Sequence, residues 1–282
     1  MAATDIFHIT GGLVPARRAI RCIGGNVDDY IQVNAAGVSH AGGEATGSIG
    51  AWINVPDITG TYCIICFGDD NVVEFLEVNV EAGKIVCRCT DATTAQFVST
   101  TDAVVIKPHQ WVHVVVVQDG LGQGVKIYIN GARVASTNST ATDVLSWWHE
   151  LDGLDTCRIG AANKAGDASV TNEFKGAISD VKIWDETILS PDDVEKEFGG
   201  TNVYSLTDVV ANWWKFDDDL VDAGFNADNG TNTGGGIVLC PAYSEFSSRI
   251  SFQSSLTMPV VADVVLLSCT DKTGHAVIIK AA

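Results

Sequence analysis

The chain has 282 residues, of which 46% are hydrophobic and 18% are charged, so it can bury a substantial core and is not expected to be disordered over most of its length. Its 17 basic and 35 acidic residues give a formal net charge of -18. This charge excludes nucleic acid as a partner, because binding a phosphate backbone needs clustered lysine and arginine. Apolar runs such as 114–117 and 264–267 are too short to span a bilayer, so no membrane insertion is expected.

Strand-like patterns recur along the chain as far as Trp184. The runs are rich in valine, isoleucine, threonine and aromatic residues, and glycine, asparagine or aspartate bounds them, as is typical of strands in a sandwich or barrel. In the clearest hairpin, alternation places Ile127 and Ile129 on one face of the strand and Tyr128 on the other. The predicted strands are 30–33, 48–55, 62–67, 72–80, 84–90, 111–118, 125–129, 156–159 and 177–184.

One helix is predicted after these strands. Ser190 suits the N-cap, Pro191 suits the first helical position, and the glycines at 199–200 suit the end of the helix. Val194 and Phe198 are four residues apart, so both are expected to face the core.

Eight cysteines raise the question of a metal site. A C-x-x-C motif at 63–66 and a C-x-C motif at 87–89 could supply a four-thiolate zinc site, but both lie in strand-like runs, where cysteine behaves as a small buried hydrophobe. The side-chain period of two would also direct Cys63 and Cys66 to opposite faces of a strand. Residues 1–18 lack the basic start and apolar run of a secretion signal, so we expect reduced thiols in a chain that folds in a cytosol.

The character of the sequence changes after residue 200. The stretch 211–236 is acidic and rich in turn residues, and a β-patterned stretch follows from 237 to 279. We therefore predict an N-terminal arm at 1–17, a β-sandwich domain at 18–200, and a β-rich C-terminal extension or small subdomain at 201–282.

Four blocks of sequence follow one another in a characteristic order. They are NVDDYIQV at 26–33, GSIGAWI at 47–53, a strand–turn–strand pattern at 111–131, and 158–194, which contains FKGAISDVKIW and LSPDDV. Together they resemble the laminin-G-like and concanavalin A-like lectins, including the pentraxins. The resemblance implies an all-β fold, a two-sheet antiparallel jelly-roll sandwich with one short helix and, in this chain, a β-rich C-terminal extension.

A further segment, ANWWKFDD at 211–218 with DNGT at 228–231, resembles the opening of many laminin-G-like repeats. It is also similar to a region that follows such domains in virion proteins of marine tailed phages. This resemblance implies a protein folded in the host cytoplasm and displayed on the particle surface. Its partners would be other particle proteins or surface glycans, and it would be oligomeric or assembled on a larger particle.

Catalysis is not predicted. Hydrolytic relatives of this fold carry closely alternating acids, as E-x-D-x-E or E-x-D-x-x-E, because glycoside hydrolysis needs two carboxylates across the scissile bond. The nearest strand pair, Glu74 and Glu77, is three residues apart and is therefore expected on opposite faces. The sequence has no nucleophile elbow, zinc-protease helix or phosphate loop.

A calcium site is one hypothesis for the turn at 67–71. This FGDDN turn is similar to the pentraxin turn whose Asp-Asn pair coordinates calcium, and Asp70 and Asn71 take those two places, with Asp167 as a possible third ligand. The acidic run that completes the pentraxin site would fall at 161–164, where this sequence has a lysine and no acid. The alternative is an ordinary Asx turn. A second acidic cluster at 217–229 allows the same two interpretations.

Glycan binding would use exposed aromatic side chains. Trp147 and Trp148 lie in a predicted loop, and Trp213 and Trp214 lie in the extension, so these four are candidates for a sugar platform or a protein contact. The alternative is that they plug the end of the sandwich.

The sequence therefore predicts a non-catalytic structural or adhesive module, a virion surface component such as a capsid decoration or fibre protein. The first alternative is a secreted, extracellular carbohydrate-binding lectin, with or without calcium. The second is a divergent glycoside hydrolase.

Overall fold

In its described residues the protein is a sandwich of two antiparallel β-sheets with one short α-helix. The computed structural model describes residues 17–22, 29–34, 45–166, 169–200 and 212–243. The predicted all-β, two-sheet jelly roll is thereby confirmed. Among the residues described, no helix is long and apolar enough to cross a membrane.

Within the described ranges the first sheet contains eight strands, numbered in chain order across both sheets. They are β1 (Arg17–Cys22), β3 (Gly47–Asn54), β8 (Val112–Gln118), β9 (Lys126–Ile129), β10 (Ala132–Val134), β13 (Gly176–Asp185), β14 (Asn212–Trp214) and β16 (Ile237–Tyr243). They are ordered β10-β9-β8-β3-β13-β1-β16, and β14 pairs with β13 beyond the end of β1.

In the same part of the chain, the second sheet also contains eight strands. They are β2 (Tyr30–Asn34), β4 (Thr61–Gly68), β5 (Phe75–Glu81), β6 (Lys84–Asp91), β7 (Thr94–Thr101), β11 (Ser136–Ala141), β12 (Thr156–Ile159) and β15 (Thr231–Thr233). Their order is β11-β7-β6-β5-β4-β12-β2-β15.

Two strands at one edge of the second sheet, β7 and β11, were not predicted. Both are rich in serine and threonine, and β11, with the sequence STNSTA, alternates between half-buried and exposed positions because it is the last strand of its sheet. A polar edge strand lacks the apolar alternation on which sequence prediction relies. The predicted strand at 72–80 begins only at Phe75, because residues before it form a turn in which Asp69 Oδ1 accepts hydrogen bonds from the backbone amides of Asn71 and Val72.

Both faces of the first sheet are buried in its middle strands. Val112, Val114 and Val116 of β8 belong to the main core between the sheets. Val115 and Val117 point the other way, into a second cluster with Trp184 and Val194. This double burial explains why β8 reads as an almost unbroken run of valine, since each face needs apolar side chains. In β9, Ile127 and Ile129 face the main core and Tyr128 faces the second cluster, as predicted.

Helix α1 (Pro191–Phe198) covers the second cluster. It begins as predicted, with Ser190 as N-cap accepting a hydrogen bond from the Asp193 backbone amide. Val194 is fully buried, whereas Phe198 is 36% exposed and stacks on the ring of Trp52 with centroids 5.6 Å apart.

A buried ion pair also ties this helix to the sheet. Lys182 Nζ of β13 donates to Glu197 Oε2 at 2.5 Å, and both side chains are at most 5% exposed. Pairing is what makes the burial of these two charges tolerable, because an isolated buried charge costs several kcal/mol.

The sandwich continues past the predicted domain end at residue 200. β14 pairs with β13, β15 pairs with β2, and β16 pairs with β1, so the described part of the predicted extension, 212–243, supplies strands to both sheets. The remainder of that extension, 201–211 and 244–282, lies outside the described residues, as do residues 1–16 of the predicted N-terminal arm.

The prediction that Cys63 and Cys66 point to opposite faces is wrong. A β-bulge between Cys63 and Ile65 shifts the register, and both cysteines join Phe75 and Ala162 in a small cluster on the outer face of the second sheet. Cys87 and Cys89 instead face the main core. The two motifs thus lie on opposite faces and cannot form one four-thiolate zinc site. The cysteines whose side chains are described are buried free thiols, namely Cys22, Cys63, Cys66, Cys87, Cys89 and Cys157.

The predicted exposure of Trp147 and Trp148 is also wrong. Both side chains are 0% exposed, their ring centroids are 4.6 Å apart, and Trp148 stacks on Phe67 at 5.0 Å. A 3-10 turn at Trp148–Glu150 follows directly, and both rings belong to the main core. The interpretation of these tryptophans as packing residues is therefore the correct one, and they offer no surface for a sugar.

We expect Trp148→Ala to destabilise the protein by about 3–5 kcal/mol, because it removes a large buried ring and leaves a cavity between the sheets. Thermal or denaturant unfolding would measure the change. Phe225→Ala is the matched control, since Phe225 is 78% exposed and its removal should change stability by no more than about 0.5 kcal/mol. Equal effects of the two substitutions would contradict this assignment.

Candidate functional site

A group of charged and polar side chains lies on the outer face of the second sheet. Alternate residues of β5 face the main core, namely Leu76, Val78 and Val80. Because the side-chain period of a strand is two, Glu77, Asn79 and Glu81 all point outward on the same face. Arg88 of the neighbouring strand β6 is paired directly with Glu77, so it joins them. We call Glu77, Asn79, Glu81, Arg88 and Lys164 the outer-sheet site.

Arg88 bridges the two carboxylates of this site. Its Nη1 donates to Glu77 Oε1 at 2.7 Å, and its Nη2 donates to Glu81 Oε2 at 2.7 Å. The Glu77 side chain is 0% exposed, whereas those of Arg88 and Glu81 are 25% and 26% exposed. The planar guanidinium can serve two carboxylates at once, which allows a fully buried glutamate to remain within the sheet face.

Lys164 covers Glu77 from a loop. Its Nζ lies 3.7 Å from Glu77 Oε1, and its side chain is 31% exposed. The loop is held against β4, because the Asn163 backbone amide donates to Cys66 Sγ at 3.4 Å and the Cys66 thiol donates back to the Asn163 carbonyl at 3.4 Å. Gly68 permits this approach, since a Cβ at that position would lie 2.3 Å from the Asn163 carbonyl oxygen.

Two acceptor oxygens of the outer-sheet site lack a partner within the described part of the chain. Glu77 Oε2 and Asn79 Oδ1 are both buried without a hydrogen bond. Asn79 uses its other amide atom, Nδ2, to donate to Glu81 Oε1 at 3.4 Å. A buried acceptor without a donor costs free energy, so both atoms favour a bound group that can donate hydrogen bonds.

The structure brings the predicted calcium residues next to this site but engages them in hydrogen bonds. Asn163 Nδ2 donates to Asp70 Oδ1 at 2.5 Å, and Asn71 Nδ2 donates to Asp155 Oδ2 at 2.8 Å. Arg158 Nη2 is 3.9 Å from Asp70 Oδ1, so a cation already lies beside this carboxylate. The pentraxin resemblance implied that residues 161–164 lie near the turn at 67–71, and Asn163 does contact Asp70. The contact of Asp155 with this turn was not predicted.

These residues do not fit a calcium ion well. Within the described ranges, no group of three or more histidine, cysteine, aspartate or glutamate side chains is placed to hold a metal. Calcium needs several oxygen ligands at once, but Asp69 and Asp155 accept backbone amide hydrogens with their carboxylates. Asp167, the third proposed ligand, lies outside the described residues.

The second acidic cluster is organised by Asp222. Its Oδ2 accepts from Asn212 Nδ2 at 2.8 Å and from the Asp228 amide at 2.9 Å, and its Oδ1 accepts from the amides of Trp213 at 2.6 Å and Gly224 at 2.7 Å. Asp222 is 5% exposed. Because both oxygens are occupied by protein donors, this carboxylate stabilises the turn that leads from β14 to β15.

Of the other predicted aromatic contacts, Trp214 is buried and Trp213 is half-buried. Trp214 is 0% exposed and donates from Nε1 to the Asp228 carbonyl at 2.9 Å. The Trp213 ring faces two ammonium groups, with Lys182 Nζ 4.6 Å and Lys215 Nζ 4.1 Å from its centroid. Both lysines can form cation–π contacts with this ring, so only part of Trp213 is open to a ligand.

Sequence reasoning missed the alternating acids of β5. The pattern Glu77-x-Asn79-x-Glu81 differs from the hydrolytic E-x-D-x-E pattern only in its central amide, and all three side chains share one face. The predicted strand 72–80 included Glu74 and ended before Glu81, whereas the observed strand excludes Glu74 and includes Glu81. The sequence does contain this signal, because Glu77, Asn79 and Glu81 alternate strictly with Val78 and Val80.

Glu74 lies just before β5 and has an unusual environment. The pKa of Glu74 is raised to about 7, mainly by burial and to a smaller extent by repulsion from Asp91, Asp69 and Asp152, while a hydrogen bond from the Ala92 amide opposes the rise. Its Oε1 is buried with no partner among the described atoms. A proton on Glu74 therefore stabilises the folded state near neutral pH.

The fold is that of a concanavalin A-like β-sandwich. Residues 24–195, more than half of the chain, match the family model described as "Concanavalin A-like lectin/glucanases superfamily". The chain belongs to this superfamily. A search of curated protein sequences found no significant match.

Solved structures with the same fold include several carbohydrate-binding proteins. The CBM40 module of the Ruminococcus gnavus IT-sialidase aligns over 66% of this chain and 100% of its own length, with 14% identity and a TM-score of 0.51. A putative carbohydrate binding protein from Bacteroides ovatus aligns over 81% of this chain and 60% of its own, with 19% identity and a TM-score of 0.51. The NanB sialidase of Streptococcus pneumoniae (K499G mutant) aligns over 64% and 28%, with 14% identity and a TM-score of 0.50. At these identities the similarity establishes the fold.

We expect Glu74→Gln to raise the melting temperature by a few degrees at about pH 8 and to have little effect at about pH 4. The folded state binds the Glu74 proton more tightly, so its stabilising contribution is present below the ordinary pKa of 4.5 and is lost as the pH rises through about 7. Glutamine keeps the neutral form at every pH. Thermal unfolding of both proteins across this pH range measures the difference in melting temperature. A difference that does not change with pH would refute the raised pKa of Glu74.

Proposed function

We propose that the protein is a non-catalytic carbohydrate-binding module and that the outer-sheet site binds the glycan. The observation that carries this proposal is the array of hydrogen-bonding groups on one sheet face, with two buried acceptors that lack a partner within the described residues. Sugars present many hydroxyl groups in fixed directions, and such groups are well matched by rigid carboxylate, amide and guanidinium side chains. The carbohydrate-binding proteins among the structural neighbours add support at the level of the fold.

Rigidity is the second argument for a binding face. Glu77 and Asn79 project from a central strand of an eight-stranded sheet, and Arg88 projects from its neighbour. Side chains on a sheet are held more precisely than side chains on loops, so little conformational entropy is lost when a ligand binds.

The pairing of the two acids argues for binding rather than hydrolysis. In a glycoside hydrolase the two carboxylates flank the scissile bond, one as general acid and the other as base or nucleophile. Here Glu77 and Glu81 both accept hydrogen bonds from Arg88, which occupies the space between them. A sugar at this site would contact the outer side of Arg88 and its two glutamates, and it would not enter between Glu77 and Glu81.

A glycan array followed by calorimetry tests the binding site. We expect binding to neutral oligosaccharides in the wild type and a loss of at least about tenfold in affinity in Arg88→Lys, because lysine keeps the charge but cannot bridge two carboxylates. Arg133→Lys is the matched control, since Arg133 is exposed on β10 of the other sheet. It should bind as the wild type does.

The melting temperature of each variant shows whether a loss of binding reflects unfolding. An array on which a folded wild-type protein binds no glycan would overturn the proposal. Release of reducing sugar from a bound glycan, abolished by Glu77→Gln, would instead favour the glycoside hydrolase alternative.

The setting in which such a module acts stays a prediction. The phage-like resemblance of 211–231 led us to propose display on a virus particle, and the alternative is a secreted lectin acting outside the cell. Surface glycans are partners in both settings. Contacts with other particle proteins and assembly into an oligomer belong to the first.

Calcium dependence can be tested directly at the turn. Because Arg158 and Asn163 already contact Asp70, we expect millimolar calcium to raise the melting temperature by less than about 1 °C, in the wild type and in Asp70→Ala alike. A rise of several degrees that Asp70→Ala abolishes would show that calcium binds at Asp70 and Asn71.

A further inference from the structure

We infer that the outer-sheet site selects neutral, hydroxyl-rich glycans over acidic ones, with Glu77 Oε2 and Asn79 Oδ1 as the acceptors that recognise sugar hydroxyls. This inference rests on the proposed carbohydrate-binding function and names the chemical class of its ligand.

The first step concerns the cations of the site, which are already paired. Arg88 donates to Glu77 and Glu81 at 2.7 Å each, and Lys164 lies 3.7 Å from Glu77. Two basic and two acidic side chains leave the site close to electrically neutral. An acidic sugar would have to compete with these protein carboxylates for the same donors.

The second step concerns the atoms that remain to be satisfied, which are acceptors. Glu77 Oε2 and Asn79 Oδ1 are buried and have no hydrogen bond within the described part of the chain. A hydroxyl or an ammonium group can donate to them, whereas the carboxylate of a sialic or uronic acid cannot. Placing an anion beside these oxygens would leave buried acceptors unpaired and add repulsion from Glu77.

The third step concerns access to the buried acceptors. Among the described side chains, Lys164 lies against Glu77 with a contact of 3.7 Å, which is longer than a hydrogen bond. Lysine has a long flexible side chain, and this one is 31% exposed on a loop. A ligand can displace it without disturbing the Arg88 bridge. Lys164 can therefore act as a cover that rotates away when a sugar hydroxyl reaches Oε2.

The charge of the whole chain acts in the same direction. A net charge of -18 repels anionic ligands at long range, and this repulsion weakens with added salt. Selection at the site and repulsion at long range can thus be separated by ionic strength, because only the long-range repulsion is screened.

Matched glycan pairs test the inference. The wild-type protein is titrated with neutral oligosaccharides and with the same core carrying one sialic or uronic acid, for example lactose against 3′-sialyllactose, at low and high salt. We expect the neutral member of each bound pair to bind at least about tenfold more tightly, and expect this preference to persist at high salt. Equal or tighter binding of the acidic members would overturn the inference.

Two variants change the selectivity in defined directions. Glu77→Gln replaces one carboxylate oxygen with an amide nitrogen, which donates a hydrogen bond instead of accepting one. It also removes the negative charge that pairs with Arg88 and Lys164. The affinity for neutral glycans should therefore fall, and the affinity for acidic glycans should rise. Lys164→Ala removes the side chain that a ligand would have to displace and should strengthen the binding of neutral glycans, whereas a site that used Lys164 to hold an anion would lose its binding of acidic glycans. Glu195→Gln, an exposed position on α1, is the charge-matched control and should change neither.

The outcomes separate the inference from the proposed function. If no glycan binds, or if Arg88→Lys, Glu77→Gln and Lys164→Ala all leave the affinity for glycans unchanged, the proposed site itself is wrong. If these variants alter binding but the wild type prefers acidic glycans, only the inferred ligand class is wrong. Lys164→Ala changes a half-buried loop side chain outside the strands, so the test stands even where Glu77→Gln fails to fold.

Discussion

The alternation of side chains along each strand constrains the whole molecule. In β5 this alternation puts Leu76, Val78 and Val80 into the core and Glu77, Asn79 and Glu81 on the outer face. A slip of one residue would bury the charged set and expose the apolar set, so the core fixes the register of the strand. The candidate site depends on that register, because its acceptors and the core residues share one strand.

The two sheets cover their outer faces in different ways, and this difference decides where a ligand can bind. On the first sheet, α1 buries an apolar cluster and brings Glu197 onto Lys182. On the second, the loop of Asn163 and Lys164 contacts β4 and β12 and reaches Glu77 of β5 with the Lys164 side chain. The first outer face is therefore a second core, whereas the second keeps polar side chains at its surface. Gly68 is the residue that allows the loop to lie so close.

Local signals predicted most of the elements that bury apolar side chains. Nine strands and α1 with its Ser190 cap follow from alternation and capping, both of which act between near neighbours in the chain, whereas β1, which buries Ile20, was not predicted. The strands β7 and β11 were missed because their polar residues carry no apolar period. The bulge at Cys63 was missed because it depends on pairing with Asn79 of β5, which no pattern around residue 63 reports.

The sequence by itself determined the fold class and the superfamily resemblance, since these follow from local periodicity and from ordered motifs, and the pentraxin resemblance implied that residues 161–164 lie near the turn at 67–71. Only the tertiary structure decided that Trp147 and Trp148 are core residues and that residues 212–243 complete both sheets. It alone showed that Arg88 joins Glu77 to Glu81. Burial and ion pairing between strands are set by which segments become neighbours in space, and that depends on the packing of the whole chain rather than on any one stretch of it.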